Sequence, residues 1–313
     1  MAGTDLRAQS SAYPIGLRSV AGRNKRLRTL LDGREIIVAP GCFDCLSARL
    51  VEEAGFGAAY ITGSGVSISQ LGAPDVNLAS FSEVLDRIKR IADAVTIPLI
   101  ADIDTGFGGP LNIIRTVREF ERAGVSAVQI EDQQAPKKCG HELGRRVVDT
   151  MEMTSRIKAA VDARCDADFL IVARTDARTS LGLDAALERA DAYLAAGADI
   201  LFIESPEDEA EMRTLCDHLR GRAPTLANMV EGGRTPILPA AQLEEIGFKV
   251  VIFPNALTRA FAHAGQALLS ELSATGTTSG FRDRMFDHDA LWALFDYQTW
   301  LDLERDFGVP TNE

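Results

Sequence analysis

The chain has no apolar run approaching the roughly 20 residues that cross a bilayer, and its N-terminus carries no signal-peptide core, so no membrane span is expected. Positive charge is in short supply. Lys and Arg number 33 against 45 Asp and Glu, a formal net charge of −12, and that mean field would repel nucleic acid and anionic membrane surfaces. A small molecule is the expected partner, and an anionic one needs a local cation. The five cysteines (Cys42, Cys45, Cys139, Cys165 and Cys216) are odd in number and scattered, without the spacing of a structural zinc site. That usage points to a reduced, cytoplasmic compartment. Cys42 and Cys45 form a CxxC where the first predicted strand ends, but nothing beside them suggests thiol exchange. No GxGxxG follows that strand, which excludes the usual dinucleotide fingerprint. Residues 1–25 bear Arg, Ser and Gly with few acids; they read as a flexible lead-in, with organellar import left open beside a cytoplasmic location.

What is present is a core large enough for one α/β domain: 313 residues, 46% of them hydrophobic. Short β-branched apolar runs alternate with amphipathic stretches of helical period. Eight strands are expected: Glu35–Ala39, Ala58–Thr62, Pro98–Ile103, Ala127–Glu131, Phe169–Arg174, Ile200–Glu204, Thr225–Met229 and Val250–Phe253. Helices are expected over Ser82–Val95, Asn112–Ala123 and Asp184–Ala196, the last two stopped by Gly124 and Gly197. Eight βα units in about 225 residues predict a (β/α)₈ TIM barrel over residues 26–281. Residues 282–313 form a C-terminal helical extension unusually rich in aromatics (Phe286, Trp292, Phe295, Tyr297, Trp300) for a chain with 6% aromatic residues. So large an apolar stripe packs on its own barrel or covers a neighbouring subunit.

In such barrels the chemistry sits where the strands end. The third strand ends in Asp102-Ile103-Asp104, two carboxylates on one strand face, and the fourth ends in Glu131-Asp132. A cation or a shared proton must relieve their repulsion, and hard oxygen donors suit Mg²⁺, with Mn²⁺ as a substitute. After the fourth strand comes Lys137-Lys138-Cys139-Gly140-His141, a thiol among cationic neighbours that ready it for proton transfer or attack. The fifth strand ends in Arg174, which can clamp a carboxylate bidentately or pair with Glu204 or Asp176 as architecture. Thr62-Gly63-Ser64 after the second strand offers hydroxyls and N–H groups to an anion.

Taken in order, from about Leu27 to Phe307, these segments resemble the isocitrate lyase and phosphoenolpyruvate mutase superfamily, and within it the short lyases typified by 2-methylisocitrate and 2,3-dimethylmalate lyases. The most specific element is Lys137 to His141, which looks like the signature loop of the carbon–carbon lyases. The resemblance implies Mg²⁺ on Asp102 and Asp104 with Asp75 and Glu131 assisting. It also implies a carboxylate cradle at Thr62, Gly63, Ser64 and Gly140, and a pocket lined by Arg174, Glu204 and Asn228. The implied reaction is a retro-aldol cleavage of a 2-hydroxy di- or tricarboxylate to pyruvate, with Cys139 as general acid helped by Lys137 and His141. It further implies a homotetramer that swaps its C-terminal helices. Arg259 matches an arginine that 2-methylisocitrate lyases place against a substrate carboxylate, whereas Gly232 to Pro236 looks more like the dimethylmalate-lyase and carboxyphosphonoenolpyruvate-mutase branch, and His288 stands where 2-methylisocitrate lyases carry another Arg. Pro254 stands where oxaloacetate hydrolases are expected to carry serine. A carboxyphosphonoenolpyruvate mutase, an oxaloacetate hydrolase and a silent metabolite-binding barrel are the alternatives.

Overall fold

The structure is a computed structural model that describes residues 13–17, 20–140, 142 and 144–308. Strands β1 (Ile37–Cys42), β2 (Ala59–Ile61), β3 (Leu99–Asp102), β4 (Ala127–Glu131), β5 (Leu170–Thr175), β6 (Ile200–Ile203), β7 (Leu226–Asn228) and β8 (Val250–Phe253) pair in parallel. Their order is β6-β5-β4-β3-β2-β1-β8-β7, and a parallel bridge from Leu201 to Thr225 joins β6 to β7, so the sheet curls into the expected (β/α)₈ barrel. Helices follow in chain order: α1 (Arg23–Asp32), α2 (Cys45–Glu53), α3 (Gly63–Leu71), α4 (Phe81–Ala94), α5 (Pro110–Arg122), α6 (Thr150–Ala163), α7 (Ala177–Leu181), α8 (Leu183–Ala195), α9 (Glu209–Leu219), α10 (Ala240–Ile246), α11 (Ala256–Thr275), α12 (His288–Ala293) and α13 (Tyr297–Phe307). No helix among the described residues is long and apolar enough to cross a membrane.

Local chemistry sets these elements. In α4, Ser80 and Glu83 form a reciprocal capping box, and Val84, Ile88, Ile91 and Ala92 make one buried stripe. Gly124 and Gly197 take left-handed φ values of 92° and 103° just past α5 and α8, as the predicted stops require. Most strand boundaries shift by one residue. The first moves further, from Glu35–Ala39 to Ile37–Cys42, because Gly41 and Cys42 pair with Tyr60 and Ile61 and draw Pro40 into the strand.

Period-two alternation then sorts the strand residues. Ile100, Ala127, Leu170, Val172, Ile200, Phe202, Val250 and Ile252 fill the barrel interior, and Ala101, Val128, Ile171, Ala173, Leu201 and Val251 pack outward against the helices. Helix α1 plugs the end of the barrel away from the strand tips, with Leu27 in the interior cluster. Buried Arg23 donates to the carbonyls of Gly124, Ala92 and Val95, and burial lowers its pKa to about 10. Arg23, three residues before the expected start of the barrel at residue 26, thus packs against it.

The buried Cys42 thiol has its pKa raised by burial, and all five cysteines are free, which leaves the CxxC without thiolate chemistry. Beyond β8 the packing thins. Helix α11 buries none of its residues, while Leu294 is buried and its carbonyl accepts from Arg49 Nε at 2.9 Å and Nη2 at 2.6 Å. Phe286, Trp292, Tyr297, Trp300 and Phe307 remain exposed.

Candidate active site

At the C-terminal ends of the strands the interior face turns from apolar to charged. The β3–β4 side holds the acids. Asp102 Oδ1 accepts from the Asp104 amide at 3.0 Å and from Gln129 Nε2 at 3.3 Å, and burial beside Asp104 pushes its carboxyl up to about 6. Glu131 is raised well above the usual carboxylate range by burial, against the pull of Arg174. Lys137 is buried among them: its Nζ lies 2.5 Å from Asp75 Oδ1 and 2.7 Å from Asp104 Oδ1. Burial alone would depress the Lys137 pKa, but Asp104, Glu131 and Asp75 outweigh it and hold it well above its ordinary value.

The β5–β7 side holds the guanidinium. Arg174 Nε and Nη2 donate to Asp176 at 3.0 and 2.9 Å, while Nη1 and Nη2 face Glu131 at 3.4 Å and Glu204 at 3.3 Å. Its plane lies over the Phe202 ring, 5.1 Å from the centroid. Asn228 Nδ2 donates to Glu204 Oε2 at 2.9 Å. Between the two sides is a small cavity lined by Tyr60, Thr62, Ser64, Asp75, Asp102, Glu131, Lys138, Cys139, Arg174, Glu204, Asn228 and the apolar Val230, Ile252 and Pro254.

The sequence-predicted residues divide accordingly. Asp75, Asp102, Asp104, Glu131, Lys137, Cys139, Gly140, Thr62, Ser64, Arg174, Glu204 and Asn228 converge. Gly63 joins them, since a Cβ there would stand 3.0 Å from Asp102 Oδ2. Gly140 has no room for a side chain, because a Cβ would fall 2.2 Å from Arg174 Nη2 and 2.8 Å from Glu204 Oε2. Thr62 caps α3 and accepts from the Gly65 amide, so the N–H groups of the first turn open toward the rim. His141 lies outside the described residues. Arg259 does not line the cavity; its Nη1 donates to the Glu231 carbonyl, and its side chain is half exposed. Lys137, expected beside the thiol, spends its charge on Asp75 and Asp104. Tyr60 and Gln129 were missed. Tyr60 Oη donates to Gln129 Oε1 at 2.7 Å, which continues to Asp102. Their signal was inward spacing, two residues before Thr62 and two before Glu131.

A family model described as phosphoenolpyruvate phosphomutase matches residues 27–273. A 2,3-dimethylmalate lyase of Eubacterium barkeri is 50% identical over 91% of this chain and 98% of its own. A 2-methylisocitrate lyase of Aeropyrum pernix is 43% identical over 88% of this chain and 87% of its own. The chain belongs to the phosphoenolpyruvate mutase/isocitrate lyase superfamily. Solved members superpose closely: an oxaloacetate acetylhydrolase with TM-score 0.86 and 35% identity, covering 96% of this chain and 99% of that one, and a 2,3-dimethylmalate lyase with TM-score 0.85 and 36% identity, covering 91% and 95%.

The resemblance leads to the expectation of Mg²⁺, and the oxygen donors gathered at the rim are of the kind such an ion takes. Among the described residues Glu131 Oε1 is buried with no hydrogen-bond partner, and Asp104 Oδ1 meets Lys137 as an ion pair. Among the described residues no three acid, His or Cys groups form a complete ligand set. Hard oxygen donors so arranged suit an ion held by one or two carboxylates and completed by water and substrate oxygens, the habit of Mg²⁺.

Proposed function

We propose that the protein is a Mg²⁺-dependent carbon–carbon lyase that cleaves a 2-hydroxy carboxylate of the 2,3-dimethylmalate or 2-methylisocitrate type to pyruvate and a second carboxylate. The observation that carries this reading is one cavity holding an acid cluster, an arginine and a loop thiol together. Asp102 and Asp104 would hold the ion, with Asp75 and Glu131 assisting, and Mn²⁺ would substitute. When bound, it supplies a Lewis acid that offsets charge growing on the 2-oxygen.

The chain's own residues do the rest. Arg174 and the first-turn amides of α3 bind carboxylate oxygens, fixing the C2–C3 bond. As that bond breaks, a carboxylate of the cavity's acid cluster accepts the hydroxyl proton, C2 becomes a ketone, and the bonding electrons pass to C3 of the leaving fragment. Cys139 delivers a proton to that carbon, with Lys138 and His141 as cationic neighbours. The buried Lys137 keeps Asp75 and Asp104 at their posts in place of the thiol role expected of it.

A dicarboxylate is favoured over a tricarboxylate. Val230, Ile252 and Pro254 give the cavity an apolar wall suited to alkyl substituents, and Arg259 is tied to Glu231 outside it. The exposed aromatics of α12 and α13 and the bare face of α11 support a homotetramer with swapped C-terminal helices.

The test is keto-acid release with Mg²⁺, read by lactate dehydrogenase and NADH. Pyruvate from 2,3-dimethylmalate at a higher kcat/KM than from 2-methylisocitrate is the expected result. Silence on both, with turnover of oxaloacetate or a phosphonate, would overturn it.

A further inference from the structure

The arginine on β5 and the loop that carries the thiol after β4 meet at one carboxylate. Asp176 is fully buried just past the end of β5. Its Oδ2 accepts from Arg174 Nε, and its Oδ1 accepts from both Arg174 Nη2 and Arg145 Nη1. Burial would raise the Asp176 pKa, yet Arg174 and Arg145 hold it below the usual carboxylate range. The Asp176 amide in turn donates to Asp132 Oδ1 at 2.9 Å, so its own backbone is pinned.

Arg145 belongs to the cysteine loop. It is buried, its Nη2 donates to Thr179 Oγ1 at 2.5 Å, and its Nε donates to the Glu142 carbonyl at 3.1 Å. The Glu142 amide donates to the Cys139 carbonyl at 3.0 Å. One guanidinium thus ties the backbone turn that begins at Cys139 to the carboxylate that orients the other guanidinium. A second tie comes from just past the end of β6, where Ser205 Oγ donates to the Gly140 carbonyl at 3.1 Å.

We propose that Asp176 and Arg145 are positioning residues: the shared Oδ1 sets the Cys139 turn and the Arg174 guanidinium at a fixed separation across the cavity. The proposal rests on the lyase reading for what that separation is for, since a proton donor and a carboxylate clamp must address two ends of one small molecule. The two residues act unequally. Arg174 keeps both of its bonds to Asp176 when Arg145 is changed, so only the thiol side loosens; changing Asp176 loosens both.

The test is a pair of variants read by kinetics and by labelling. Arg145→Gln should lower kcat by roughly 10- to 100-fold while KM moves less than about 3-fold, whereas Asp176→Asn should raise KM as well. Independently of any substrate, iodoacetamide should modify Cys139 several-fold faster in Arg145→Gln than in the parent, with the exposed Cys165 as the unchanged internal control, both read by peptide mass spectrometry. Should Arg145→Gln fail to fold, Thr179→Val removes one fork contact and keeps the buried charge; a kcat loss of about 2- to 5-fold at constant KM is then expected. An unchanged kcat and an unchanged Cys139 labelling rate in the folded variants overturn the proposal, as does a KM that rises in Arg145→Gln as much as kcat falls. Failure of the parent on every lyase substrate would count against the lyase reading instead, and the labelling rates would still decide the tie between Arg145 and the thiol.

Discussion

The floor and the rim of this barrel are built by the same strands on the same face, and they solve opposite problems. On β5, Leu170 and Val172 point inward into an apolar cluster, and two residues later Arg174 points the same way into a nest of carboxylates. On β4 the inward sequence runs Ala127, Gln129, Glu131, from apolar through amide to acid. In the floor the free energy comes from area removed from water, ~1.5–3 kcal/mol for each large aliphatic side chain buried. In the rim, burial opposes charge, and only mutual pairing holds it: Lys137 against Asp75 and Asp104, Arg174 against Asp176, Glu131 and Glu204. The floor should thus answer to changes of volume and the rim to changes of chemistry.

Cys139→Ser should produce the largest effect. It swaps one small polar group for another at a partly exposed loop position, so the fold should stand, yet the proposed proton donor is replaced by a much weaker acid. A fall in kcat of about 10³-fold, with pyruvate binding kept, is expected from the loss of a general acid. Turnover near that of the parent in the coupled assay would remove Cys139 from its role.

Ile100→Ala sharpens the contrast from the other side. Ile100 is fully buried in the floor and pairs with Tyr60 on β2 and Ala127 on β4. Truncation leaves a cavity among tightly packed neighbours and should cost about 3 kcal/mol of stability in urea or guanidinium unfolding. KM in the folded fraction should change little. A stable variant with altered KM would mean that floor and rim are not separable.

Asp104→Ala acts on the rim again, with a smaller free energy but a different signature. It removes one proposed ion ligand and, among the described residues, leaves Lys137 with Asp75 as its ion-pair partner. Isothermal titration of pyruvate should lose its dependence on added Mg²⁺, with affinity in the presence of the ion down by roughly 100-fold, about 2.7 kcal/mol. Unchanged Mg²⁺-dependent binding would contradict the metal assignment.

The sequence carries the floor and much of the rim, for a physical reason. Strand order and inward spacing are local, so the runs from Ala127 to Glu131 and Val250 to Phe253 are legible residue by residue, and both stand in the structure as read. The strand ends bring Asp102, Asp104, Glu131, Arg174 and Glu204 together because the barrel places every strand end on one rim. What cannot be read is where a long side chain reaches. Lys137 is a neighbour of Cys139 in sequence but spans to Asp75 and Asp104. Arg259 fits a substrate arginine by position, and its side chain goes to Glu231. Arg145 and Asp176 are 31 residues apart and meet only through the tertiary fold.

Tyr60 lies on the seam between the two regions, and its substitution is the mildest probe of them. The ring belongs to the interior cluster, while the hydroxyl donates at 2.7 Å to Gln129 Oε1, whose amide nitrogen donates to Asp102 Oδ1 at 3.3 Å. Tyr60→Phe keeps the packing and leaves a buried amide oxygen without its donor, which should cost about 1–2 kcal/mol. If the floor merely supports the rim, that loss should appear in the unfolding midpoint alone. If the hydroxyl holds Asp102 in place through Gln129, the Mg²⁺ concentration for half-maximal activity should also rise, by about 3-fold, since groups that orient metal ligands act through such bonds. We expect the second result. A lowered midpoint with unaltered Mg²⁺ dependence would assign Tyr60 wholly to the floor.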